Sequence, residues 1–196
     1  MSSTTKLLRE YIKEIVKESA SAHKRLRIFD FDDTLVKTDS AIHVTSADGT
    51  KFDLSPGEFA VYDQLPGDVF DYADFEKLIN PREIKWVCKI LHNVYSKHGP
   101  EGIVILTARG SAEPVHQFLD DIGLPDIEVS ALGDANPHMK ALWIDSRIKR
   151  DDLDMVEFFD DSHKNIAAVK ELKQLHPEVT IITRHIVHRS IASLHA

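Results

Sequence analysis

Three carboxylates fall within four positions in the segment Arg27-Ile28-Phe29-Asp30-Phe31-Asp32-Asp33-Thr34-Leu35, directly after a short apolar run. Like charges this close repel, so the crowding calls for a metal ion or a catalytic proton among them. For this segment alone the alternative is an Asp-rich turn that ends a strand. A second acidic pair, Asp160-Asp161, follows Val156-Glu157-Phe158-Phe159, and Thr107-Ala108-Arg109-Gly110 follows Ile103-Val104-Ile105-Leu106. Taken singly, Asp161 or Ser162 can cap the next helix, and Thr107 can close a turn. Taken together, three strand ends in a parallel sheet point to one edge, where such folds bind ligands. Carboxylates, a hydroxyl and a guanidinium then converge there.

The elements that must deliver these groups are legible as an alternation of strands and helices. Strands are expected at Leu26–Phe29, Gly102–Leu106, Val156–Phe159 and Val179–Thr183, with a weaker one near Ile127–Val129. Helical periodicity covers 112–122, 137–147 and 163–174. A further helix is expected to start at Asn80-Pro81-Arg82-Glu83, with Asn as N-cap and Pro at the first position, and to stop at Gly99-Pro100. It would bury Ile84, Val87, Cys88, Leu91, Val94 and Tyr95. The alternation predicts an α/β fold, a Rossmann-like three-layer α/β/α arrangement around a mainly parallel sheet. One stretch breaks the rhythm. Residues 36 to about 79 hold a hairpin pattern around Asp48-Gly49 and then an acidic segment punctuated by Pro and Gly. Such an insertion would hang from the active end of the first strand as a flap. Ahead of the domain at 25–196, residues 1–24 form an amphipathic stripe (Leu7, Leu8, Tyr11, Ile12, Ile15, Val16) and a link. The stripe suits packing on the domain or docking a partner.

Composition narrows the function classes. The 196 residues carry a formal charge of -8, which argues against a broad basic surface for gripping nucleic acid. It leaves room for a single nucleic-acid end held by a metal ion and a few cations. Cys88 is the one cysteine, so no disulfide framework or thiolate zinc cluster is available. A cysteine-nucleophile phosphatase would want an arginine six residues on, and that position is Val94. No GxxxxGK[ST] loop occurs, so no P-loop kinase half is present. No apolar run approaches the roughly 20 residues needed to span a bilayer, and charges interrupt the N-terminus throughout. A cytoplasmic location without a membrane partner is the expectation.

Asp30-x-Asp32-x-Thr34 after an apolar strand resembles the first motif of haloacid dehalogenase (HAD) superfamily phosphatases. Thr107 resembles the second motif and Asp160-Asp161 the fourth; Lys140 is chosen for the lysine of the third, with Lys149 as runner-up. Thr107-Ala108-Arg109 and Phe159-Asp160-Asp161-Ser162-x-Lys164-Asn165-Ile166 further resemble the phosphatase domain of phage polynucleotide kinase-phosphatase. The resemblance implies a Mg²⁺-dependent phosphatase with Asp30 as nucleophile, forming an aspartyl-phosphate, and Asp32 as general acid and base. It implies that Thr107, Arg109 and Lys140 bind the substrate phosphate. Asp30, the main-chain carbonyl of Asp32 and Asp160 would hold Mg²⁺, with Asp161 either binding through water or orienting Asp160. A carboxylate at position 32 fits phosphoryl rather than dehalogenase chemistry, although mutases also keep it.

The substrate stays open between a small phosphomonoester or nucleotide and a polynucleotide 3′-phosphate. The short insertion would admit a large substrate, while its acids (Asp39, Asp48, Asp53, Glu58, Asp63, Asp68, Asp71, Asp74) would repel a polynucleotide. A non-catalytic HAD-like binding or scaffold module is the alternative from another class. His185 and His188 are spaced as a helical pair without an obvious third ligand, and Trp86 and Trp143 are expected in the core or a groove.

Overall fold

The computed structural model describes residues 24–187. In chain order it forms β1 (Arg25–Phe29), β2 (Val36–Lys37), β3 (Ile42–Thr45), β4 (Lys51–Leu54), helix α1 (Pro56–Val61), β5 (Val69–Asp71), a 3-10 turn (Ala73–Glu76) and β6 (Arg82–Glu83). It continues with α2 (Lys85–His98), β7 (Ile103–Thr107), α3 (Glu113–Asp121), β8 (Glu128–Ala131), α4 (Pro137–Asp151), β9 (Met155–Asp160), α5 (His163–Leu175) and β10 (Thr180–His185). The amphipathic stripe expected at the N-terminus lies outside the described residues, as does His188. Among the described residues no helix is long and apolar enough to cross a membrane.

The main sheet runs β10-β9-β1-β7-β8 with every pair parallel. Its three central strands bury apolar residues on both faces toward their carboxyl ends, as a sheet covered on both sides requires. Leu26 and Ile28, Val104 and Leu106, and Val156 and Phe158 face α4 and α5, packing with Ile144, Ile148, Ile166 and Val169. Phe29, Ile103, Ile105 and Phe159 face the opposite layer, where Val87, Cys88 and Leu91 of α2 meet Val115, Phe118 and Leu119 of α3. This is the expected three-layer α/β/α architecture. Each of these large side chains contributes about 1.5–3 kcal/mol on burial. A one-residue slip of β1 would exchange Ile28 and Phe29 between layers, so the register is pinned. That register sets Phe29 beside Ile105 on one flank and beside Phe159 on the other. The ends of the three central strands are therefore level, which is what brings their terminal residues together.

The insertion between β1 and α2 begins and ends on one ribbon: β2 pairs antiparallel with β6, Val36 opposite Glu83 and Lys37 opposite Arg82. The helix start expected at Asn80 is thereby overruled. Arg82 and Glu83 are extended to close the ribbon, Asn80 is left-handed at φ 48°, and α2 begins at Lys85 with no side-chain cap. Tertiary pairing outweighs a local cap worth about 1 kcal/mol. Beyond the ribbon, β4-β3-β5 form a three-stranded antiparallel sheet. The expected hairpin is its first pair, turning where Gly49 takes φ 86°. A small aromatic core, Phe59 on Phe70 and Tyr72, lies within the insertion.

Many of the insertion's acids build its turns. Glu58 completes a capping box with Ser55, Asp68 accepts from the Tyr62 hydroxyl and the Leu65 N–H, and Asp71 accepts from the Ala73 N–H. Asp74 accepts from the Ala41 N–H. Of the tryptophans, Trp143 packs partly buried against the core under Arg147, but Trp86 is half exposed. Cys88 is a core residue: burial pushes its thiol up to about 12, and its Sγ donates to the Leu35 carbonyl.

Candidate active site

Asp30 leaves the central strand with its N–H donated to the Phe159 carbonyl at 2.9 Å, which sets it directly beside Asp160. The chain then turns sharply. The Phe31 carbonyl accepts from the N–H groups of Thr34, Leu35 and Val36, and Asp33 takes a left-handed φ of 56°. One tight loop thus carries Asp32 and Asp33 around the strand end before the insertion starts.

Lys140 reaches the same point from α4. Asn136 caps α4 by accepting from His138 N–H, Pro137 opens it, and Lys140 follows one turn in. Its Nζ lies 2.6 Å from Asp30 Oδ1 and 2.8 Å from Asp160 Oδ2, and the residue is only 4 % exposed. Lys149, the other candidate, sits on the solvent side of α4 and pairs with Asp145 one turn earlier. Of the two lysines, it is Lys140 that meets the acidic group at the strand ends.

Asp30, Asp160 and Asp161 each offer an oxygen within 4.8 Å of the others. Asp160 is fully buried and held from several sides. Its Oδ1 accepts from the Ser162 N–H at 2.8 Å, and both of its oxygens accept from Asn165 Nδ2 at 3.0 Å. Ser162, not Asp161, caps α5, so the Asp161 side chain is free of that duty. Three carboxylates around one ammonium carry an excess of two negative charges when all are ionised. The site's electrostatics follow from that count. Burial pushes the Asp30 carboxyl well above its ordinary range, Lys140 pulls it down, and Asp160 and Asp161 push it up again. Burial and the charges of Asp160 and Asp33 raise Asp161 to about 7. Burial opposes the Lys140 ammonium, but Asp160 and Asp30 outweigh it and keep it protonated. The three carboxylates could hold a hard metal ion, which favours oxygen ligands.

Thr107, at the end of β7, is buried, and its Oγ1 accepts from the Arg109 N–H at 3.1 Å, which leaves the hydroxyl proton free to point elsewhere. Arg109 has a different environment from the one expected of a phosphate ligand. Its Nε donates to Asp32 Oδ2 at 2.8 Å and its Nη2 to Asp32 Oδ1 at 2.7 Å. Nη1 donates to the carbonyls of Phe75 and Lys77 in the insertion. The insertion also meets the first-strand loop, since a Cβ on Gly57 would stand 3.9 Å from Asp33 Oδ2. It is therefore in contact with the site, as a flap would be.

Sequence reasoning missed Asn165 as a partner of Asp160. The signal was present: Asn165 is three residues after the Ser162 cap, so the first turn of α5 returns it to the strand end. The carbonyls of Phe75 and Lys77 had no signal, because any residue supplies a carbonyl. His185 lies on strand β10 rather than on a helix. Its ring lies against that of His163, tilted by 37° with 3.8 Å between centroids, and its Nε2 donates to the Asp161 carbonyl at 2.8 Å. The chain matches no protein-family model and no curated protein.

Proposed function

We propose that this protein is a Mg²⁺-dependent phosphomonoester hydrolase of the HAD type that works through an aspartyl-phosphate on Asp30. The observation that carries the proposal is the arrangement at the end of β1. One carboxylate, Asp30, faces a buried ammonium and two further carboxylates, while a second, Asp32, is aimed separately by a guanidinium. Two carboxylates on one loop in unlike surroundings are suited to two unlike roles. Asp30 attacks phosphorus, and the bond from phosphorus to the leaving oxygen breaks as Asp32 delivers its proton to that oxygen. Water then attacks the phosphorus of the aspartyl-phosphate, Asp32 takes its proton, and inorganic phosphate leaves with Asp30 restored. Lys140 and the Thr107 hydroxyl hold phosphoryl oxygens, and Lys140 reduces the repulsion between Asp30 and an anionic substrate. Asp30, Asp160, Asp161 and the Asp32 main-chain carbonyl would hold Mg²⁺, which when bound supplies positive charge to the phosphoryl group.

The flap favours a small phosphomonoester or nucleotide over a polynucleotide end, because an acidic segment in contact with the site repels a long polyanion. A panel of mononucleotides, sugar phosphates, p-nitrophenyl phosphate and 3′-phosphorylated oligonucleotides, assayed with Mg²⁺ and with chelator, tests both statements. Turnover of small substrates that chelator and Asp32→Asn both abolish is the expected outcome. A binding or scaffold module would leave the whole panel inert, and selective turnover of the oligonucleotides would reverse the substrate assignment.

The raised carboxyls make a second prediction. A carboxyl whose folded value lies above its unfolded value, about 4, costs the fold stability as pH climbs between the two. For Asp161 that interval ends at about 7. Metal-free protein is thus burdened by crowded charge above this interval, where a divalent cation relieves it. Saturating Mg²⁺ is expected to raise the melting temperature by about 5 °C or more at about pH 8, and by clearly less at about pH 5.5. Equal shifts at the two pH values would contradict the cation assignment.

A further inference from the structure

We infer that Arg109 is a positioning residue that makes the aim of Asp32 depend on the insertion, rather than a ligand of the substrate phosphate. The inference rests on Asp32 being the proton donor proposed above. Arg109 is only 3 % exposed, and four of the five N–H groups of a guanidinium are engaged by protein oxygens. Little of it remains for a phosphate. The fork onto both oxygens of Asp32 fixes the direction and the plane of that carboxylate, which a single bond would not.

The remaining contacts tie this fork to the flap. Both Nη1 bonds end on main-chain carbonyls, those of Phe75 at 2.9 Å and Lys77 at 3.1 Å. The guanidinium carbon lies 4.9 Å from the Phe75 ring centre and 5.4 Å from that of Phe31, so one ring belongs to the insertion and the other to the catalytic loop. The 3-10 turn is in turn fastened to the start of the insertion. The Asp74 carboxylate accepts from the Ala41 N–H, and its carbonyl accepts from the Ser40 hydroxyl. Lifting the insertion would strip Arg109 of two acceptors and one ring at once, leaving only Asp32 and the Phe31 ring to orient the guanidinium. The Asp32 carboxylate would then lose the geometry that its proton transfer needs. Closure of the flap and readiness of the acid are one event in this arrangement.

The experiment compares wild type, Arg109→Lys and Phe75→Ala on two substrates in the presence of Mg²⁺. An alkyl phosphomonoester needs a proton on its leaving oxygen; 2,4-dinitrophenyl phosphate does not. Wild-type activity that Asp30→Asn abolishes is the control for the underlying chemistry, and its absence would sink the hydrolase proposal independently of Arg109. Given that control, Arg109→Lys is expected to lower kcat for the alkyl ester about 100-fold with KM changed less than about threefold. Its pre-steady-state burst of dinitrophenolate is expected to keep the wild-type rate, with slow turnover afterwards. Phe75→Ala, which touches no reacting atom, is expected to show the same pattern at about tenfold, and it carries the test alone where Arg109→Lys does not fold. A large rise in KM with equal losses on both substrates would make Arg109 a phosphate ligand and overturn the inference. Wild-type kinetics in Phe75→Ala would overturn the link to the insertion.

Discussion

Asp30→Asn is expected to lower Mg²⁺-dependent phosphomonoesterase turnover by about ten-thousandfold or more, the scale on which removing a covalent nucleophile acts, while the protein stays folded. The amide keeps the shape of the carboxyl, and its oxygen still accepts from Lys140. One of the three crowded carboxylates disappears, so metal-free protein at neutral pH should melt no lower than wild type. Steady-state kinetics beside a thermal melt separate the two effects. Loss of activity together with loss of folding would leave the nucleophile unsupported, and retained activity in a folded variant would remove it from the mechanism.

Lys140→Met is expected to act on stability as strongly as on turnover. The substitution leaves Asp30 and Asp160 buried face to face with no cation between them, and a buried charge stripped of its partner costs about 3–5 kcal/mol. For a domain of this size that is a fall of about 10 °C in melting temperature. The deficit should shrink in mild acid, where the carboxyls take up protons, and on adding Mg²⁺, because both relieve the same repulsion. Lys149→Met is the control. Its pair with Asp145 is a surface one-turn pair, worth less than about 0.5 kcal/mol. Equal melting temperatures for the two variants would contradict the placement of Lys140 at the centre of the acidic group.

The difference between these lysines also marks where the sequence is informative. The apolar runs before Asp30, Thr107 and Asp160 were readable because strands buried on both faces leave continuous hydrophobic stretches. Once the sheet was known to be parallel, their level ends followed. Lys140 was readable as the lysine on the preceding helix, although only its place on the inner face of α4 separates it from Lys149. The start of α2 was misjudged because Arg82 and Glu83 pair with β2, some 45 residues earlier in the chain, and local cap signals carry no information about such a partner. Arg109 was noticed, but its partners were not. Its type and position suggested an anion, and the anion it meets is Asp32, with two insertion carbonyls beside it. Long-range contacts to main-chain atoms have no residue signature. The acids of the insertion show the same limit from the other side: composition gave their charge, while the structure shows Glu58, Asp68 and Asp71 accepting hydrogen bonds within their own turns and Asp74 accepting one from the distant Ala41 N–H.

The covalent step is the central claim, and it is open to direct capture. Wild-type protein mixed with a radiolabelled phosphomonoester and Mg²⁺, quenched in acid within the first turnover and reduced with borohydride, should yield homoserine in place of one aspartate. Peptide mass mapping is predicted to put that homoserine at position 30, with none formed when chelator is present. Complete single-turnover hydrolysis with no acid-stable label on the protein and no homoserine at position 30, or homoserine at any other aspartate, would contradict the account.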